Sequence, residues 1–190
     1  MTFVSRWTLH LSVALALGLL SAGRAASEPR PDKTLQAVVA LDKWVAALAV
    51  DPKMKALENT RAGDDLFEVL FSFNRDVFEL WNQLPMTIFW LKLRPIDPMN
   101  LKLEFATVDE KIGQIQSRLA VVGPMLESHG MKGPKEVLLL LKDALGPVTP
   151  GARHYSAGMT EADTLRHIRD IEAVMPLLRK VQLELSRLPV

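Results

Sequence analysis

The chain has 190 residues, 48% of them apolar, a formal net charge of +1 and no cysteine. That length suits one domain, and near-neutrality excludes a strongly basic nucleic-acid binder. The missing thiols exclude disulfides, thiolate zinc sites, iron–sulfur clusters, covalent c-type haem and a cysteine nucleophile.

The apolar excess sits at the N-terminus. Arg6 is followed by the largely apolar run Thr8–Leu20 and then by the small residues Ser21, Ala22, Gly23 and Ala25. This is the layout of a secretory signal peptide. The run is shorter than the ~20 residues that a membrane-spanning helix needs. Residues 1–25 are therefore expected to be cleaved, so that the mature chain begins at Ala26 and is periplasmic or secreted. An uncleaved anchor and an organellar transit peptide are the competing readings. His10 and the short run speak against the first, the continuous apolarity against the second. No later segment is long and apolar enough to cross a bilayer, so no transmembrane span is expected after signal removal.

Residues 26–33 are polar and Pro-bearing, a flexible leader, and a single helical domain is expected over 34–190. From Asp32 to Val50 the apolar residues Val38, Leu41, Val45 and Leu48 recur at helical spacing. Asp51-Pro52 ends that helix and can start a short second one, because Asp caps free amides and Pro fits the first helical position. Asn59–Gly63 is the next expected break. A capping box at Asp65 and Glu68 then predicts a helix to about Leu84. Its polar stripe is Asp65, Glu68, Ser72, Arg75, Asp76 and Glu79, and Leu66, Phe67, Val69, Leu70, Phe71, Phe73, Val77, Phe78, Leu80 and Trp81 form a wide apolar arc.

Asp97-Pro98 opens the most regular helix, with Leu101, Phe105, Val108, Ile112, Ile115, Leu119 and Val122 as its seam and Gly123-Pro124 as its expected end. Thr87–Leu93 is ambiguous between helix and strand. Pro134–Leu145 is a further helix whose five consecutive apolar residues, Val137–Leu141, predict burial on most sides. Gly146–Met159 reads as a loop. The last helix, from Thr160 to Leu188, has the seam His167, Ile171, Val174, Leu178, Val181, Leu185 and Leu188, with Pro176 inside it. The sum is an all-α fold: an antiparallel bundle of about four longer helices plus one or two short ones.

No nucleophile elbow, P-loop, metalloprotease helix or dinucleotide fingerprint is present, and the chain carries no Glu-x-x-His pair of di-iron bundles. Catalysis is not expected, although an enzyme of unassigned reaction stays an alternative. Seven of the twelve aromatic residues fall between Phe67 and Trp90, which is either core filling or an apolar binding surface. Phe71, Trp81, Phe89 and Trp90 are the candidates there for holding a partner or ligand. Arg153, His154 and Tyr155 are candidates in the long loop. The leading expectation is a non-enzymatic exported protein that binds another envelope or secreted protein. The alternative is a carrier of an apolar small molecule or of non-covalent haem, with His167 as one axial ligand and Met54, Met86, Met99 or Met125 as the other.

Overall fold

The structure, a computed structural model, describes residues 33–95, 97–144 and 160–188. The expected signal peptide, leader residues 26–32, and the expected loop Gly146–Met159 with Arg153, His154 and Tyr155 lie outside the described residues; Lys33, expected as the last leader residue, instead begins the first helix. Among those described there are six helices and no strand: α1 (Lys33–Ala49), α2 (Pro52–Ala56), α3 (Arg61–Lys92), α4 (Pro98–Ser128), α5 (Lys135–Ala144) and α6 (Glu161–Leu185). The fold is all-α, and four long helices pack against one another as a bundle.

Side-chain caps set two of the helix starts where the sequence placed them. The Asp51 carboxylate accepts from the Lys53 amide at 2.9 Å, and Asp97 accepts from the Met99 and Asn100 amides at 3.0 and 3.1 Å. The start of α3 differs from expectation. Thr60, not Asp65, is the N-cap; its hydroxyl accepts from the Gly63 amide at 3.0 Å. Asp65 is exposed one turn inside the helix. Gly63, expected in the break, is buried within the first turn.

Two other ends also move. The third helix does not stop near Leu84 but runs through Pro85 to Lys92, which makes Thr87–Leu93 helical up to its C-cap Leu93. The fourth runs past Gly123-Pro124 to Ser128. It ends where Gly130, at φ 70°, donates to Glu127 O and Met131 donates to Leu126 O, both at 2.9 Å. That is a Schellman stop, and it needs the left-handed residue that Gly supplies. The helices outlast Pro85, Pro124 and Pro176 because all three face solvent. On an exposed side a carbonyl freed by a Pro ring can be hydrated, while buried neighbours such as Leu84 and Leu126 hold the turn in place.

Pairs across the interfaces give the topology. Asp76 with Arg118, Glu79 with Lys111 and Gln83 with Glu104 run in opposite senses along α3 and α4. Asn74 with Ser186, Trp81 with Arg179 and Lys92 with Glu172 do the same for α3 and α6. Thus α3 lies antiparallel to both. Helix α1 packs on α6 and α5, and α5 also touches α4. The whole α4 seam is buried, as its spacing requires. In α6 the seam runs through Thr164, Ile168 and Ile171; His167 lies beside it, half-buried, rather than in it. Among the described side chains of α5 only Val137 and Leu141 are buried, and Leu139 is exposed. The five-residue apolar run therefore packs on one side, against α1 and α4, and not on most sides.

Candidate functional site

Helix α3 carries two apolar seams. The inner one, Leu66, Leu70, Phe73, Val77, Leu80, Leu84 and Leu91, is buried between α4 and α6. The outer one is Phe71, Phe78 and Phe89, which expose 58%, 41% and 53% of their surface. At 3.6 residues per turn these three fall within about 20° of one another, on the side of the helix opposite the inner seam. Phe71 and Phe89 are separated by 18 positions, so the ridge is about 27 Å long. Met86, also exposed, borders it.

The candidates from sequence divide accordingly. Phe71 and Phe89 stand on the outer face. Trp81 and Trp90 are half-buried at its base, packed against the core. Trp81 meets Phe78 at 5.9 Å between ring centroids, and the Arg179 guanidinium lies 4.9 Å over its indole. Phe89 and Trp90 meet edge to face at 5.6 Å. Each Trp thus packs against one outer Phe, Trp81 against Phe78 and Trp90 against Phe89. Phe73 and Phe67, from the same aromatic segment, belong to the core, where Phe73 meets Trp44 of α1 at 6.3 Å. Phe78 is the ridge residue that the candidate list lacked. Its spacing of seven from Phe71 and eleven from Phe89 was a usable signal, because the inner seam already satisfied the core face.

The flank of the ridge toward α4 is ionic. Asp76, expected in the exposed polar stripe, is instead 3% exposed and accepts from Arg118 Nε at 3.1 Å. The reason is its angular position, one step from the inner seam and against α4. Glu79 binds Lys111 and lies 3.9 Å from Arg75. The Lys111 hydrogen bond holds the Glu79 carboxyl below its ordinary range, against a smaller opposing effect of burial, and the charges of Lys111 and Arg75 add to the lowering. A depressed carboxyl stabilises the fold above its unfolded value and loses that contribution as pH falls through its folded value. The melting temperature gap between wild type and Glu79→Gln is therefore expected to narrow as pH is taken below 4.5. A gap constant from neutral to acid pH would contradict it.

A second feature is a groove of about 450 Å³ between α1 and α5, lined by Val39, Ala40, Trp44, Ala47, Val137 and Leu140 among others. The Trp44 indole N–H donates to the Lys132 carbonyl at 3.1 Å and fixes one wall. His167 lines neither this groove nor the ionic one between α3 and α4. Met54 is buried in α2, beside the end of α4 that Lys53 joins through Gly130 O, whereas His167 lies near the Lys92–Glu172 end of α3. Met86 and Met99 are exposed. Met125 is half-buried against the core, and neither groove is lined by any of the four Met residues. Among the described residues, no three His, Asp or Glu side chains are grouped to hold a metal ion.

No family model, no curated protein and no solved structure matches this chain. The ridge is thus judged on its own chemistry: a solvent-facing row of three aromatic rings, two of them backed by a Trp, whose ionic flank is internally paired. Such a surface offers a large apolar contact with little conformational entropy to lose.

Proposed function

We propose that this chain is an exported, non-enzymatic binding protein that holds another protein of the cell envelope or extracellular space on the outer face of α3. The observation that carries the reading is the Phe71–Phe78–Phe89 ridge, opposite a seam that already satisfies the core. Aromatic residues clustered on a surface and backed by packed neighbours have the character of interface hot spots. The export part of the reading rests on the N-terminal sequence. No described helix is long and apolar enough to cross a membrane.

The test is a chain carrying Phe71→Ser and Phe89→Ser together with a photo-crosslinking residue beside the ridge. Partner capture is expected to fall at least about tenfold, since hot-spot truncations cost roughly 1.4 kcal/mol or more. Melting should stay close to wild type, because both rings are more than half exposed. Capture that is unchanged in this variant would overturn the ridge as the binding surface. A carrier of an apolar small molecule is the second reading, and the α1–α5 groove favours it: its lining is mainly apolar, and its size suits a small ligand.

A further inference from the structure

The groove between α1 and α5 has an apolar wall and a charged rim, and the rim selects a class of ligand. Val39, Ala40 and Ala47 of α1 line it with Val137 and Leu140 of α5, around the buried Trp44. Lys53 with Gly130 O and Trp44 with Lys132 O run in opposite senses, so α5 turns back along α1. Leu140 therefore lies toward Gln36, and Lys132 and Asp51 lie toward the other end. From Trp44 to Gln36 the wall spans eight residues, or about 12 Å.

Four ionisable side chains line the groove: Lys43, Lys132, Asp51 and Glu136. Their formal charges cancel, but their engagements differ. The Asp51 carboxylate caps α2 through the Lys53 amide. Glu136 stands in the first turn of α5, where the free amides of a helix start favour a carboxylate. Lys43 and Lys132 are exposed, and neither makes an ion pair among the described residues. The acids near them are committed elsewhere, Asp42 to Lys180 and Glu127 to Lys135. No acid stands three or four positions from Lys43 along α1. Both lysines start from the level of Trp44: Lys43 precedes it, and the Lys132 carbonyl accepts its indole N–H. The uncompensated charge at this end of the apolar wall is thus positive.

We propose that the groove holds a single-chain amphiphile with an anionic head. The head lies between Lys43 and Lys132, and the tail runs along Ala40, Val137 and Leu140 toward Gln36. A volume of about 450 Å³ is in the lower part of the range for small-molecule sites, room for one aliphatic chain rather than the two of a bilayer lipid. The tail takes the wall out of water, while the head stays at the rim, where neither ammonium group has to be buried. This inference rests on the carrier reading and is independent of the ridge.

Isothermal titration calorimetry on the chain as its producing cell processes it, with decanoate and with decyltrimethylammonium, is the measurement. The two probes have closely matched tails and opposite head charges, and both are used below their micelle concentrations. Decanoate is expected to bind at least about tenfold more tightly than the ammonium probe, and Lys43→Glu with Lys132→Glu to reverse that order. Ala47→Trp, at an exposed position, fills the groove and is expected to abolish binding of both probes. Phe71→Ser with Phe89→Ser is expected to leave decanoate affinity unchanged. Circular dichroism confirms that each variant is folded. A wild type that binds both probes equally, or prefers the ammonium, would overturn the anionic head. If Ala47→Trp abolishes that binding, the groove stands as a carrier site for apolar chains. Decanoate binding that survives Ala47→Trp, or that falls in the ridge variant, would overturn the groove as the site. If neither probe binds, this inference and the carrier reading fall together.

Discussion

Gly63→Ala is expected to destabilise the protein by about 2–4 kcal/mol, with the sign opposite to the usual effect of that substitution in a helix. Alanine normally stabilises a helix interior relative to glycine by about 1 kcal/mol. At position 63 a Cβ would lie 2.0 Å from the Leu57 carbonyl oxygen and 2.9 Å from the Leu57 carbonyl carbon. Both are backbone atoms, so no rotamer change relieves the overlap. The Thr60 hydroxyl ties the same three residues together, donating to Leu57 O at 2.8 Å and accepting from the Gly63 amide. Moving Leu57 away would break the cap of α3 and disturb the α2–α3 connection. The melting temperature should fall by roughly 5–15 °C. Gly113 in α4 is the control, because a Cβ there meets nothing within 4 Å; Gly113→Ala should be neutral or stabilising by up to ~1 kcal/mol. Equal responses at the two sites would refute the close approach at Leu57.

The second large effect is expected from Arg118→Leu. Asp76 is buried against α4, and its Oδ2 accepts from Arg118 Nε. Removing the guanidinium leaves a buried carboxylate without its paired cation. Breaking a fully buried pair costs about 3–5 kcal/mol; here about 2–4 is expected, because the Arg118 side chain is 40% exposed and already partly solvated. The double variant Asp76→Leu with Arg118→Leu should recover most of the loss, since it removes the stranded charge along with its partner. Urea unfolding of both variants decides the matter. A double variant no more stable than Arg118→Leu alone would show that packing by the Arg118 stem, not charge, was lost.

The ionic pairs between α3 and α4 explain how two long helices with such wide apolar faces find one alignment. Leucine and valine seams tolerate a shift by a turn, whereas Asp76 with Arg118, Glu79 with Lys111 and Gln83 with Glu104 can be satisfied together in only one register. Asp76 therefore serves specificity of packing at the cost of its desolvation. That same register leaves the Phe71–Phe78–Phe89 face pointing away from both neighbours.

Much of this architecture was legible from local pattern. The α4 seam from Leu101 to Val122 and the α1 seam through Val38, Leu41, Val45 and Leu48 are buried as their spacing demands. Asp51 and Asp97 cap the helices that follow them. These features depend on residues within one or two turns of each other, and the chain itself holds those neighbours close. Tertiary structure decided the rest. Whether Pro85 and Pro124 end a helix depends on which side faces water and on what packs behind them. Whether Asp76 is a surface acid or a buried one depends on Arg118, 42 positions away. Leu139 and Phe78 read as core because they are apolar, yet they are exposed because no described helix passes over them. Periodicity determines which side chains share a face; only the arrangement of the other helices determines whether that face is covered.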